Sequence, residues 1–223
     1  MRTKALLGLA VLAASAATCL AQGNVYSLNI VGYVNVPIQG GNKLTLVSNP
    51  LKPSNGDYGV KNTIVLPETA DGAAIFAWAG TTWSSTVPIW FGVPGGSFWD
   101  PNYTNALGSA FFIQSPEATT VTFVGEVNTG TAIPYTLNTG LNFVAPKTPV
   151  AQAFPGKDIG NDGDAIYQWT GSAWSSSVFI YLGGVGWDEG SGTNLDGPQV
   201  AVGGGVVYNN TGAALNWTRS FTP

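Results

Sequence analysis

From Tyr26 to Ile38 the chain alternates. Tyr26, Leu28, Ile30, Val34, Val36 and Ile38 hold one phase, interrupted by Gly32, while Ser27, Asn29 and Asn35 hold the other. A period of two predicts a half-buried strand. Gly40-Gly41-Asn42 is a turn signal, and Leu44, Leu46 and Val47 predict a second strand that Asn49-Pro50 stops. Asp71-Gly72 leads into a strand from Ala73 to Trp78. Ala79-Gly80 is a tight connection, and Thr82 to Ile89 pairs back as a hairpin. Pro94-Gly95-Gly96 and Asp100-Pro101-Asn102 read as loop. Ala110 to Ile113 and Thr119 to Val127 read as strands. After residue 21 no long stretch repeats with the 3.6-residue period of an amphipathic helix. The pattern therefore predicts an all-β protein.

The pattern also returns. DGAAIFAWAGTTWSSTV, from Asp71 to Val87, reappears as DGDAIYQWTGSAWSSSV, from Asp162 to Val178. Trp78, Gly80, Trp83, Ser84 and Ser85 recur as Trp169, Gly171, Trp174, Ser175 and Ser176. Pro37 matches Pro134, Leu44 matches Leu141, Val47 matches Val144, Trp99-Asp100 matches Trp187-Asp188, Gly108 matches Gly203 and Phe123 matches Trp217. Val31-Gly32-Tyr33-Val34-Asn35 matches Val124-Gly125-Glu126-Val127-Asn128. Self-similarity on this scale predicts two tandem, similar modules, residues 22–125 and 126–223, each a small β-sandwich or open barrel. The two either stand apart or share the strand near Val124. In the hairpin, Phe76 and Trp78 lie on one face, as do Tyr167 and Trp169. Ala77 becomes Gln168 on the other face, so the aromatic face is expected to form each module's core.

Residues 1–21 read as a signal peptide rather than fold. Arg2 and Lys4 form a charged start, Ala5 to Ala17 is apolar but too short to span a bilayer, and Cys19 and Ala21 sit where a peptidase needs small residues. Lipidation of Cys19 fits less well, because Ala16 and Thr18 occupy positions that prefer Leu and a small Gly, Ala or Ser. The expected destination is secreted: extracellular, cell surface or periplasm. Cleavage after Ala21 removes the only Cys, so the secreted chain has no disulfide to hold it. It also removes two of eight basic residues and leaves six against twelve acidic ones. That balance argues against nucleic acid and against insertion into anionic membranes. Charged residues make up only 9% of the chain, far below the usual quarter, so Ser, Thr, Asn and Gln must supply most surface polarity.

The composition also bounds the chemistry. The sequence contains no His, which removes Ser-His-Asp and Cys-His constellations. Lys43, Lys52, Lys61, Lys147 and Lys157 could in principle serve a Ser-Lys pair, yet none sits in a recognisable context. Asp162 and Asp164 are two residues apart and could cooperate as glycosidase carboxylates, but Asp before Gly is ordinary turn chemistry. Asp158, Asp162 and Asp164 form the candidate metal set. Oxygen ligands in a Gly-rich loop suit Ca²⁺, which would stiffen the loop. Trp90, Trp99, Tyr181 and Trp187 lie in Gly-rich, loop-like surroundings and are the candidate ligand platforms, exposed rings against which a sugar face could stack.

Asn24 to Asn35, directly after the signal peptide, the doubled aromatic hairpin, the Trp-Asp loop, Ser109-Ala110-Phe111-Phe112 and Phe123-Val124-Gly125-Glu126-Val127 carry a resemblance. The chain resembles a group of secreted, uncharacterised two-repeat β proteins abundant in verrucomicrobial bacteria. In the second half Gly204-Gly205-Val206-Val207 departs from the pattern. The resemblance implies secretion and duplication and carries over no catalytic residue. The expected function is that of a secreted, non-catalytic structural or surface-assembly protein, partnered by copies of itself or by extracellular polysaccharide. A carbohydrate-binding module comes next, and a carboxylate-dependent hydrolase last. No cofactor is expected apart from the Ca²⁺ option.

Overall fold

A computed structural model describes residues 30–192 and 195–222, so the proposed signal peptide and the start of the first alternating segment lie outside the described residues. The chain is all-β. The first half contains β1 (Val31–Ile38), β2 (Lys43–Ser48), β3 (Leu51–Lys52), a single helical turn α1 (Val60–Thr63), β4 (Ala74–Ala77), β5 (Ile89–Phe91), β6 (Phe98–Asp100), β7 (Ala110–Ser115) and β8 (Thr119–Val127). The second half contains β9 (Gly130–Leu137), β10 (Gly140–Val144), β11 (Gln152–Ala153), β12 (Ala165–Tyr167), β13 (Phe179–Leu182), β14 (Gly186–Asp188), β15 (Gln199–Val200), β16 (Val206–Asn210) and β17 (Leu215–Phe221). Among the described residues no helix is long and apolar enough to cross a membrane.

Strand order in the first half is β2-β7-β4-β5-β6, with β1-β8-β3 as a second sheet. In the second half it is β10-β16-β12-β13-β14, with β9 paired to β17 and β11 to β15. In each half the last long strand returns antiparallel to the first: Val36 faces Val121 and Thr136 faces Asn216. The likeness between residues 31–35 and 124–128 therefore joins two antiparallel partners, with Gly32 opposite Gly125 and Tyr33 opposite Val124. β8 pairs with β1 and β3 and is not shared with the second half. The chain passes between halves at Asn128-Thr129, just beyond the expected 125/126 boundary. The described residues from Val31 onward cluster as one compact unit.

Each half buries its own core between its sheets. Val34, Val36, Ile38, Val121 and Phe123 from one sheet meet Val47, Ile75, Phe111 and Ile113 from the other. Ile133, Tyr135 and Leu137 likewise meet Ile166, Val206 and Tyr208. The strands β7 and β16 are buried on both faces. Phe111 and Ile113 point into the first core, while Ala110 and Phe112 point out of the back of the sheet into a third cluster. That cluster joins the halves. It combines Leu46, Ala110 and Phe112 with Phe143 and Val207, and packs Phe76, Trp78, Tyr167 and Trp169 against them.

This placement corrects the expectation for the hairpin aromatics. Ile75 and Ala77 are buried in the first core, and Phe76 and Trp78 are only half-buried at the junction. Ala77 can be buried although its counterpart is Gln168 because both faces of β4 are covered.

The junction is held by reciprocal bonds. The indole N–H of Trp78 donates to Leu141 O at 2.9 Å, and that of Trp169 donates to Leu44 O at 2.8 Å. Ser48 N donates to Gly203 O at 2.8 Å, and Ala145 N to Gly108 O at 2.9 Å. Isolated bridges join Val47 to Gly204 and Val144 to Ser109. A contact that matches under exchange of the two sides is the signature of an isologous interface.

One pair of matched positions solves the same packing problem in two ways. A Cβ on Gly125 would meet Lys52 O at 2.3 Å, so glycine is what lets β3 close against β8. The matched residue is Arg219. Here β11 pairs with β15 instead, and the Arg219 guanidinium donates to Ala153 O at 3.0 Å, to Pro155 O and to Gln152 Oε1. Gly125→Ala is expected to push β3 off β8 at a cost of about 1–3 kcal/mol. Arg219→Ala removes the charged fork and should cost about 1.5–3 kcal/mol, which Lys does not restore because it lacks the planar fork. Chemical denaturation of the two variants checks both. A second asymmetry runs the other way. Trp217 stacks on Tyr135 at 5.0 Å, yet its Nε1 is buried with no hydrogen-bond partner among the described residues. The matched residue is Phe123, so Trp217→Phe should leave stability unchanged or raise it by about 1 kcal/mol, because it removes an unsatisfied donor.

Candidate functional site

The four rings expected to be exposed are buried. Trp90 is 2% exposed, Trp99 0%, Tyr181 8% and Trp187 0%. Trp90 and Trp99 face each other across β5 and β6, and Tyr181 and Trp187 across β13 and β14. Backbone carbonyls satisfy their indoles: Trp90 Nε1 donates to Pro67 O at 3.0 Å, Trp99 Nε1 to Ile64 O at 2.8 Å and Trp187 Nε1 to Gly156 O at 3.2 Å. These rings are packed as core anchors, not as the exposed platforms that the sequence suggests. The Gly-rich flanks that suggested loops belong to strands of three or four residues, too short for alternation to show.

The metal set is not assembled. Asp164 is fully buried, and both its oxygens are committed to protein donors. Oδ2 accepts from Asn161 N at 2.7 Å and from the Tyr208 hydroxyl at 2.6 Å. Oδ1 accepts from Thr211 N at 2.7 Å and from Thr211 Oγ1 at 2.9 Å. No lone pair remains for an ion or a substrate. Asp162 is exposed and accepts from Gly183 N at 2.9 Å, just as Asp71 accepts from Gly92 N at 2.8 Å. Both are turn braces. Asp158 is exposed in its loop. Among the described residues no group of three or more His, Cys, Asp or Glu is placed to hold a metal ion. The chemistry of Asp164 is structural. Burial raises the Tyr208 pKa far above its ordinary value, and its hydrogen bond to Asp164, the negative charge there and Tyr181 push the same way.

What the structure does expose is the second tryptophan of each hairpin. Trp83 is 46% and Trp174 45% exposed. Each bridges back to its hairpin partner and meets it edge-on, Trp83 to Trp78 at 5.4 Å and Trp174 to Trp169 at 5.1 Å. Each also crosses the junction: Trp83 contacts Phe143 at 5.2 Å and Trp174 contacts Phe112 at 6.2 Å. Phe112 lies beside both, since its ring is 6.1 Å from Trp83. Packed on one side and open on the other, the two indoles present fixed aromatic surface.

Three cavities adjoin along these rings. One of about 300 Å³ is walled by Leu44, Phe76, Trp83, Phe112 and Gln114. It shares Trp83 with a cavity of about 350 Å³ that reaches Phe143, Tyr167 and Trp174. It shares Leu44 and Gln114 with a more polar one of about 290 Å³ bounded by Asn42, Lys43, Trp169 and Ser172. Together they form a groove with an aromatic middle and a polar end. Its walls contain no Asp or Glu, and Lys43 is their only charged residue. A larger trough of about 430 Å³ runs beside β1 against Pro149 and Val202, and Tyr33 is the one aromatic ring in its wall.

The repeat had already marked Trp83 and Trp174. What it could not convey was that the backs of the two large sheets meet, leaving these rings at the rim. The uninterrupted apolar run Ala110 to Ile113 was the available signal for a strand covered on both faces. No protein family, curated protein or solved structure matches the chain.

Proposed function

We propose that the chain is a secreted, non-catalytic protein that works by surface contact, and that the junction groove is its contact site. The observation that carries this reading is the pair Trp83 and Trp174: matched residues, nearly half-exposed, rigidly backed by other rings and set on adjoining cavities. Aromatic residues in such a setting supply large contact area at little entropic cost. The absence of carboxylates from the groove walls supports a role in binding rather than acid–base chemistry. The basic-apolar-small order of residues 1–21 supports export.

A surface-assembly role through the free edges of the two large sheets finds less support, and the long edge strands β1, β9 and β17 belong to the smaller sheets. β6 and β14 each form one edge of a large sheet and are three residues long, while the opposite edges, β2 and β10, bridge across the junction. Asp100-Pro101 ends β6, and Trp187 N donates to Leu195 O beside β14 at 2.9 Å. Short, interrupted edges are poor templates for another strand.

The construction itself points to duplication. The matched strand orders, the turn braces at Asp71 and Asp162 and the reciprocal junction bonds support the reading that one ancestral unit was copied, and that its two copies face each other across a pseudo-two-fold axis. Two of the groove's three cavities are walled by residues of both copies.

The test is a ligand-contact measurement with Trp83→Ala and Trp174→Ala. Both rings are half in water, so each variant should keep its midpoint of thermal unfolding within a few degrees. Each should nonetheless lose most contact-dependent binding, read by affinity electrophoresis and by sedimentation velocity. Variants that bind as the parent does, across glycans, apolar probes and self-association, would end the reading.

A further inference from the structure

We infer that the junction groove holds an extended, uncharged polysaccharide, with sugar rings laid on Trp83 and Trp174 and hydroxyls engaged by Asn42, Gln114 and Ser172. This rests on the contact reading above and names the ligand class. Three observations carry it.

The first is the form of the groove. The cavities adjoin through shared wall residues and none is enclosed, which suits an extended chain rather than a compact molecule sealed within. Phe112 sits beside both exposed indoles, so their separation is bounded by two ring-to-ring contacts and falls within the length of a short oligosaccharide.

The second is chemical character. The apolar C–H face of a pyranose matches the electron-rich face of an indole, and the equatorial hydroxyls need amide and hydroxyl partners at the edge. The groove supplies both, with Gln114 beside Trp83 and Asn42 and Ser172 at the adjoining polar end. Asn42 is exposed at a turn, held with φ of 59°, a conformation that Asn tolerates. Gln114 Nε2 donates to Asn42 O at 2.9 Å, which fixes the amide against the turn. Ser172 stands at the tip of the second hairpin, exposed.

The third is charge. One Lys and no carboxylate line the groove, so an ionic partner finds at most one counter-charge there. The chain as a whole is acidic, with twelve Asp and Glu against eight basic residues, and repels a polyanion. A neutral chain meets neither penalty. A second copy of the protein would need to bury polar groups at Asn42, Lys43 and Ser172 as well as the rings. A sugar chain, by contrast, bonds to those polar groups as it stacks.

The experiment is affinity electrophoresis and titration calorimetry on the purified chain with two neutral polymers, xyloglucan and mixed-linkage β-glucan. Polygalacturonate is the anionic comparison and an anilinonaphthalene dye the apolar one. The expected result is binding to a neutral polymer that is indifferent to added salt, quenches or shifts tryptophan emission, and weakens about tenfold or more in Trp83→Ala and in Trp174→Ala. Trp83→Phe, which keeps a ring, should recover part of the loss and so separates stacking from folding. Binding confined to polygalacturonate and abolished by salt would overturn the neutral-chain inference. So would a dye site, or a Trp83-dependent dimer in sedimentation, with no polymer bound. In those three cases the contact reading survives, because the indoles still matter. Absence of any Trp83- or Trp174-dependent binding removes both.

Discussion

Trp99→Ala and Trp187→Ala are each expected to cost about 3–5 kcal/mol of folding stability, the range for truncating a large buried ring. Both residues are wholly buried, and both lie at the far end of a large sheet, where a three-residue strand has little else to hold it. Trp99 packs on Trp90 at 5.3 Å. Trp187 packs on Tyr181 at 5.2 Å and on Tyr208 at 5.4 Å. Each truncation also strands a carbonyl, at Ile64 or Gly156, that the indole N–H had satisfied. Single domains are stable by only about 5–15 kcal/mol, so either change consumes a large share of the total. The chain has a single Cys, so no disulfide within it offsets the loss. Urea unfolding followed by circular dichroism measures it. The contrast with Trp83→Ala and Trp174→Ala is the informative part: truncating the buried pair lowers stability, and truncating the exposed pair lowers binding. A Trp99→Ala variant that unfolds at the parent's urea concentration but loses ligand would return that ring to the surface role the sequence suggested.

What could be read from residue order, and what could not, follows from the length scale of each signal. β1 and β8 are eight and nine residues long, and their alternation is plain. β5, β6 and β14 are three residues each, too short for a period of two to register, and the Gly around them reads as loop. Their tryptophans therefore read as exposed, yet they lie within. The opposite error at Phe76 and Trp78 has another cause. A sheet with both faces covered has no outside, so the comparison of Ala77 with Gln168 could not identify one. Which face belongs to a half's own core and which to the junction is decided by contacts between residues far apart in sequence, such as Trp78 with Leu141 and Trp169 with Leu44. The recurrence of Trp83 as Trp174 was legible. That both would stand at one groove depends on how the two halves meet, and no local pattern encodes that.

Asp164 provides the sharpest test of whether the acidic loop serves structure or chemistry. Asp164→Ala removes the common acceptor of Asn161 N, the Tyr208 hydroxyl, Thr211 N and Thr211 Oγ1. Tyr208 is fully buried, so water cannot replace the carboxylate without opening the core. The expected loss is about 3 kcal/mol, most of it from donors left unsatisfied. Asp164→Asn keeps one accepting oxygen but turns an N–H₂ toward a donor, and should lose about 1–2 kcal/mol. Adding Tyr208→Phe to Asp164→Ala should cost less than the two changes summed, because the phenol has already lost its partner. Alkali gives an independent readout. Tyr208 keeps its proton in the fold well above the ordinary tyrosine value of 10, whereas the unfolded chain releases it near 10. The unfolded state then binds fewer protons, so this stability is complete below pH 10 and falls above it by about 1.4 kcal/mol per pH unit for one group. Tyr208→Phe should flatten that decline by one proton, measured as the pH dependence of the urea midpoint. Asp164→Ala should keep the decline but bring its end to lower pH, because burial, the largest cause of the raised pKa, remains while the hydrogen bond and the negative charge are gone. An unchanged alkaline slope in Tyr208→Phe would show that Tyr208 is not the group that sets it.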